Sequence, residues 1–297
     1  MKKLLGSYVN GNTTVQIYSD GTRIMDTDDD EFVFEHPNSI DCKITNQCDR
    51  QCKMCHEDST PDGRHGDILN EVFIDTLRPY TEIAIGGGNP LSHPELVPFL
   101  EKLKARKVIA NITVNQVHFM RECILLMDLT RSGLIRGLGV SLHIPSEDFI
   151  YLIKKFDNAV VHVINGMVDA PDLKELMNQD IKLLILGYKL LRRGLDWYDQ
   201  YCLAVEYNKE QLKKALPEIM SGFRVVSFDN LAVKQLNVKE LLSEKQWERV
   251  YNGSDGKQSG TMYIDMVERE FALSSTSDIR YDLTDNIDEM FRTVCAA

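Results

Sequence analysis

The chain has 297 residues, of which 43% are hydrophobic and 27% charged, and a formal net charge of −11 at pH 7. That length holds one large domain with appendages or two small ones, and the composition is that of an ordinary globule. The negative charge argues against a protein that grips nucleic acid through its phosphates, and no apolar stretch reaches the length of a membrane span. Met1-Lys2-Lys3-Leu4-Leu5-Gly6 lacks the apolar h-region of a secretory signal, so the expected compartment is the reducing cytoplasm, without paired disulfides. Arg192-Arg193 and Lys213-Lys214 leave local basic patches open. The balance favours a peptide, protein or small-molecule substrate.

Residues 1–38 predict an N-terminal β-hairpin element. Ser7-Tyr8-Val9 precedes Asn10-Gly11, Thr13–Tyr18 precedes Asp20-Gly21, and Thr22–Met25 follows. Asn-Gly and Asp-Gly between β-rich runs are hairpin turns. The acidic run from Asp26 to Glu31 predicts a solvated connector.

From residue 39 to 194, short apolar runs alternate with amphipathic stretches. Strands are expected at Ile40–Thr45, Glu82–Ile85, Ile109–Val114, Gly137–His143, Ala159–Ile164 and Leu183–Gly187. Helices are expected at Leu69–Leu77, Pro94–Ala105, Phe119–Ser132, Glu147–Phe156 and Pro171–Gln179. This alternation predicts an α/β core of parallel βαβ units with right-handed crossovers. Beyond Arg193-Gly194 the pattern changes, and residues 195–297 predict an α+β extension covering the open side of the core. Within it, helices are expected at Asn208–Ser221, Val238–Asn252 and Asp285–Val294, and strands at Arg224–Phe228 and within Met262–Leu273. A Gly/Ser/Asp-rich loop runs from Asn252 to Gly260.

The first strand of the core runs into Cys48-x-x-x-Cys52-x-x-Cys55. Thiolates are soft ligands that select Fe–S clusters, Cu(I) or zinc. The other cysteines, Cys42, Cys123, Cys202 and Cys295, are scattered singly and offer no fourth ligand nearby. Structural zinc wants four protein ligands; His65 is one candidate, and His56 is badly placed because it directly follows Cys55. Ligand count and softness favour an Fe–S cluster with one iron left free, with zinc and unliganded thiols as the alternatives. The second strand runs into Gly86-Gly87-Gly88-Asn89-Pro90, before His93-Pro94-Glu95-Leu96 opens a helical pattern. Glycines leaving a strand permit positive φ and close backbone approach to a ligand, although alone they mark only a tight turn.

Together these motifs resemble the radical SAM superfamily, which reads Cys-x-x-x-Cys-x-aromatic-Cys after the first barrel strand and Gly-Gly-Glu-Pro after the second. Cys48, Cys52 and Cys55 match the first motif in full, with Met54 where an aromatic is more usual. Gly87-Gly88-Asn89-Pro90 match the second with Asn in place of Glu. The resemblance covers roughly residues 39–190. It implies a partial (β/α)6 TIM-like barrel over residues 39–194 and a [4Fe–4S] cluster on the three cysteines. S-adenosylmethionine (SAM) would chelate the free iron and be cleaved reductively to a 5′-deoxyadenosyl radical that takes hydrogen from a substrate. Such chemistry implies oxygen sensitivity.

The resemblance also assigns roles residue by residue. Gly87, Gly88, Asn89 and Pro90 would meet the methionine amino group, Asn89 through its carbonyl oxygen. The backbone at Met54 and Gly187 would lie near the adenine, and Ser141 near the ribose, with a cap of the next turn as the equal alternative for Ser141. Asn115 ends the third strand as part of a Thr-Asn-Gly-like element, and Lys189 would neutralise the SAM carboxylate, with a surface lysine as the plainer reading. His143, two residues after Ser141, is a candidate acid–base or substrate contact or else a buried structural histidine. His162 and Cys123 read as packing, and Asp229-Asn230 as substrate contacts or a turn. The expected partners are an electron donor such as flavodoxin or ferredoxin, and a peptide or protein substrate ahead of a nucleoside-type metabolite. A glycyl-radical-enzyme activase is a close variant. The alternative of another class is a SAM- or metal-binding protein of the same fold without radical chemistry.

Overall fold

The computed structural model describes residues 3–251 and 260–296, which form a three-stranded and a ten-stranded sheet with their helices. The loop expected from Asn252 lies outside them up to residue 259. Strands β1 (Leu4–Asn10), β2 (Thr13–Tyr18) and β3 (Arg23–Asp26) make two successive antiparallel hairpins turning at the two expected glycine turns.

The large sheet contains β4 (Ser39–Thr45), β5 (Glu82–Gly87), β6 (Ile109–Asn115), β7 (Gly137–Ser141), β8 (Ala159–Ile164) and β9 (Lys182–Leu186), within two residues of the expected strands. Each pairs in parallel with the next. The segment beyond residue 194 extends this core at both edges. β10 (Val225–Phe228) pairs in parallel with β9, and β11 (Thr261–Asp265) pairs in parallel with β4. β12 (Glu270–Ala272) and β13 (Tyr281–Asp282) then continue antiparallel.

The helices are α1 (Leu96–Ala105), α2 (Gln116–Arg121), α3 (Cys123–Arg131), α4 (Glu147–Ile153), α5 (Ala170–Leu176), α6 (Arg193–Gly222), α7 (Asn230–Leu236), α8 (Glu244–Val250) and α9 (Ile287–Ala296). Five differ from expectation, one being α6, which begins at Arg193 where the helix was expected from Asn208 and is kinked at Tyr201 (φ −129°, ψ 26°). Leu69–Leu77 forms only a 3-10 turn at Val72–Thr76, a stretch crowded by the β-branched Val72, Ile74 and Thr76. The helix expected at Phe119–Ser132 is two, broken at Glu122 (φ −108°, ψ 24°). The one expected at Val238–Asn252 splits into a 3-10 turn and α8, where Ser243 and Gln246 form a capping box. α7 was not foreseen, and its Asp229 cap is the turn reading of that residue. No helix of the described residues is long and apolar enough to cross a membrane.

Period-two alternation gives the sheet two unlike faces. Ile40, Ile44, Ile83, Ile85, Ile112, Val140, Val161 and Ile185 are buried with Leu100, Leu126, Leu173 and Leu212 of the helices in one apolar core. The opposite face carries Asp41, Ala84, Gly86, Thr113, Ser141 and His162, which line a cavity. A parallel sheet covered on both faces would be apolar on both, so this polar face marks a chamber. At this face the loop after β9 reaches the loop after β4. Lys189 Nζ lies 3.1 Å from His56 Nε2, and Arg193 Nε donates to Asp58 at 2.6 Å. The small sheet covers the other strand ends: Arg23 pairs with Glu82 at 2.6 Å, Tyr8 Oη donates to Asn38, and Asn158 Nδ2 donates to Ser19 O.

Candidate active site

The cysteines lie on a long excursion after β4 that folds back on itself. Asn46 N donates to Arg64 O at 2.8 Å, Cys48 N to Thr60 O at 2.8 Å, and Cys55 N to Cys52 O at 3.2 Å. Asp49 straps one side of the loop to α2, accepting from His118 Nε2 at 2.5 Å and Arg121 Nη1 at 2.9 Å. Those two bonds hold its carboxyl down at about 2. Arg193, opening α6, straps the other side by donating to Cys52 O at 3.2 Å.

Cys48, Cys52 and Cys55 are free, half-buried and open onto one cavity of about 320 Å³. Burial raises the thiol pKa of Cys48 and Cys52, and their negative neighbours raise it further: Cys55 for Cys48, Cys55 and Cys48 for Cys52. Three thiolates gathered here need a cation among them. Among the described residues, one trio of metal-ligating groups has its donor atoms within 4.8 Å of one another: Cys48, Asp49 and His118. That trio is already satisfied, since His118 and Arg121 occupy Asp49. The motif sulfurs are not all within that radius of one another, whereas thiolates on a single zinc at about 2.3 Å would be. The donor set therefore fits a multi-iron cluster better than one zinc ion.

The glycine run is bonded to the entry of this loop. Gly88 N donates to Thr45 O and Asn89 N to Gln47 O, both at 2.7 Å. Gly87 has φ +113°, and a Cβ on it would overlap the Thr45 carbonyl oxygen; one on Gly88 would overlap that of Gln47. A Cβ on Gly86 would meet nothing within 4 Å and would project into open space. Gly86, Gly87 and Gly88 line the cavity, whereas Asn89 and Pro90 are buried away from its wall. The Asn89 carbonyl oxygen, expected to face a ligand, instead accepts from Leu91 N at 3.2 Å and caps a 3-10 turn.

Met54, Asn115, Ser141 and Lys189 line the same cavity. Asn115 also caps α2, accepting from Val117 N at 2.9 Å. Gly187 belongs to a small side cavity of about 50 Å³, shared with Met54, His56 and Lys189. Lys189 is not a surface residue: Nζ donates to Ser275 Oγ at 2.9 Å, and burial lowers its pKa. His143 is exposed and outside the cavity wall, because β7 ends at Ser141 and the alternation that would align the two lapses there. Cys123 is buried in α3, as expected.

His162 does line the cavity, contrary to its reading as packing. Register pairs it with Ser141, and Gly139 leaves room for its ring. Lys43 was also missed. Its buried Nζ lies 3.1 Å from Glu57 and 3.0 Å from Asp265. Burial acts to raise the Glu57 carboxyl, but His56 and Lys43 outweigh it and hold it low. A lysine flanked by Cys42 and Ile44 in mid-strand was the available signal.

No protein-family model matches the chain, and no curated protein matches it in sequence. Among solved structures it is similar to Streptococcus suis SuiB bound to precursor peptide SuiA, with TM-score 0.60 and 13% identity. That match covers 87% of this chain and 65% of the other. The chain has the SuiB fold. SuiB bound to S-adenosylmethionine matches with TM-score 0.54 and 13% identity over 80% of this chain and 60% of that one. The chain thus spans under two thirds of the SuiB length, and at this identity the likeness is one of fold alone. It agrees with the radical SAM resemblance carried by the cysteine and glycine motifs.

Within this chamber, burial alone brings the His162 pKa down from 6.5 to about 4. The unfolded chain therefore binds this proton first, so stability is full above pH 6.5, falls as pH drops toward about 4, and then levels off. The loss is at most about 3 kcal/mol. Urea unfolding of the wild type and His162→Asn at pH 7 and pH 5 should show a smaller acid loss in the variant. Equal losses would remove this account of His162.

Proposed function

We propose that the chain is a radical SAM enzyme that holds a [4Fe–4S] cluster on Cys48, Cys52 and Cys55 and modifies a peptide or protein substrate. One observation carries this reading. The glycine run is hydrogen-bonded to Thr45 and Gln47 at the entry of the cysteine loop, and three half-buried thiols and the bare backbone of Gly86–Gly88 face one chamber. When bound, the cluster supplies the electron that splits SAM to methionine and a 5′-deoxyadenosyl radical.

This chain's residues then bind, orient and enclose. Gly86 to Gly88 give a wall without side chains, against which a ligand lies close to backbone. Lys189 brings an enclosed ammonium suited to a carboxylate, and Ser141 and Asn115 bring polar groups at adjacent strand ends. Met54 and Gly187 border the side cavity, where an adenine edge is accommodated on this reading. Residues 39–194 act as the (β/α)6 core, and 195–297 close it. The precursor peptide bound by SuiB and the net charge of −11 support a peptide over a nucleic acid. A cytoplasmic setting and a flavodoxin- or ferredoxin-type electron donor complete the proposal.

Anaerobically reconstituted protein given SAM and dithionite should form 5′-deoxyadenosine and methionine in equal amounts. Zinc without iron in oxygen-free preparations, or SAM binding without cleavage under strong reduction, would overturn the reading.

A further inference from the structure

Among the described residues two charged groups of the chamber wall stand without a hydrogen-bonded or ion-paired partner, Asp41 and Arg50, whose buried Nε has none, while their neighbours are held. Lys43 lies between Glu57 and Asp265. Lys189 is bonded to His56 and Ser275. Asp229 accepts from Gly187 N at 2.9 Å and Ala232 N at 2.7 Å. Asp41 on β4 is different: among the described residues no hydrogen bond or ion pair reaches its carboxylate, though it lines the chamber.

Its surroundings explain the vacancy of space in front of it. The cross-strand neighbour on β5 is Ala84, whose single methyl fills little of the chamber, and the neighbour on β11 is Tyr263. Asp41 is exposed, on the wall of a chamber that is itself open to solvent. Packing of its carboxyl against the strands nonetheless raises its pKa, with Lys189 lowering it and Asp229 raising it through space. A carboxylate on the chamber wall with no hydrogen-bond donor against it is best matched by a full positive charge able to donate hydrogen bonds.

We propose that Asp41 receives a cationic group of the substrate, an ammonium or guanidinium such as the side chain of a peptide lysine or arginine. This rests on the reading of the chamber as the substrate site of a radical SAM enzyme. Gly86 and the cysteine loop line the same chamber as Asp41, so a cation held there anchors the substrate beside them. His162, also without a partner among the described residues, offers a neutral imidazole to the same ligand.

Three probes test it: the Nα-acetyl N-methylamides of lysine, arginine and norleucine, titrated calorimetrically into anaerobically reconstituted protein with and without saturating SAM. At least one cationic probe should bind the wild type about tenfold or more tightly than the norleucine probe. Asp41→Asn should erase that preference while leaving SAM affinity unchanged. Its thermal midpoint should equal or exceed the wild type's, because an unanswered charge has been removed. No cationic preference in the wild type, or a preference that survives Asp41→Asn, overturns the proposal. So does a matching fall in SAM affinity, which would assign the carboxylate to the cofactor, or a lowered thermal midpoint, which would assign it a structural partner. Formation of 5′-deoxyadenosine is scored separately. A cationic preference without cleavage supports the Asp41 site and removes the radical reading; cleavage without the preference does the reverse.

Discussion

Replacing Cys52 with alanine is expected to abolish SAM cleavage while leaving the fold in place. The side chain is half-buried and free, and the one strap at this position, from Arg193, ends on the backbone carbonyl. A truncation of this kind costs within about 0.5 kcal/mol. On the proposed reading two remaining thiolates would not hold a cluster, and neither buried cysteine nearby can step in. Cys42 is buried in β4 with its thiol held protonated by that burial, and Cys123 is buried in α3. Iron content and 5′-deoxyadenosine formation should both fall, the latter by about a thousandfold or more. Cys202→Ala, on α6 outside the cavity wall, is the control that leaves both unchanged. Substantial cleavage by Cys52→Ala would end the three-thiolate proposal.

Gly87→Ala should be the most destabilising single methyl in the chamber, costing about 3 kcal/mol in urea unfolding. Conformation and space both exclude it: φ is +113°, and the added carbon would overlap the Thr45 carbonyl oxygen. The displaced backbone would also disturb the bond from Gly88 N to Thr45 O that ties the glycine run to the entry of the cysteine loop. Gly86→Ala gives the opposite separation. Its methyl meets nothing within 4 Å, so stability should stay within about 0.5 kcal/mol while SAM binding weakens as the chamber narrows. Equal effects of the two substitutions on stability would show that the junction is not the tight point described.

The strands of the parallel core were legible because β-rich runs between turn residues carry a strong local signal, and β4 to β9 fall within two residues of expectation. The edges were less so. That β11 would pair with β4 depends on contacts across more than two hundred residues, to which local pattern is blind. The site divided in the same way. Cys48, Cys52 and Cys55 announce themselves by spacing, but Asp41, Lys43 and His162 become visible only once register puts them on the chamber face. His143 went the other way, since alternation was carried past the point where the strand ends. Asn89 matched a motif by position, while its local hydrogen bond to Leu91 N turned the carbonyl oxygen into a cap.

The pairing of β11 with β4 also sets an order of assembly. The strand that leads into the thiols is an edge until residues 261–265 dock beside it, and Asp265 arrives with them to sit against Lys43. Loop closure over so long a separation is slow. During synthesis the cysteine loop therefore exists well before its flanking strand, and iron delivered early would find half a wall. On the proposed reading, stable loading of the thiols is thus tied to the docking of residues 261–265.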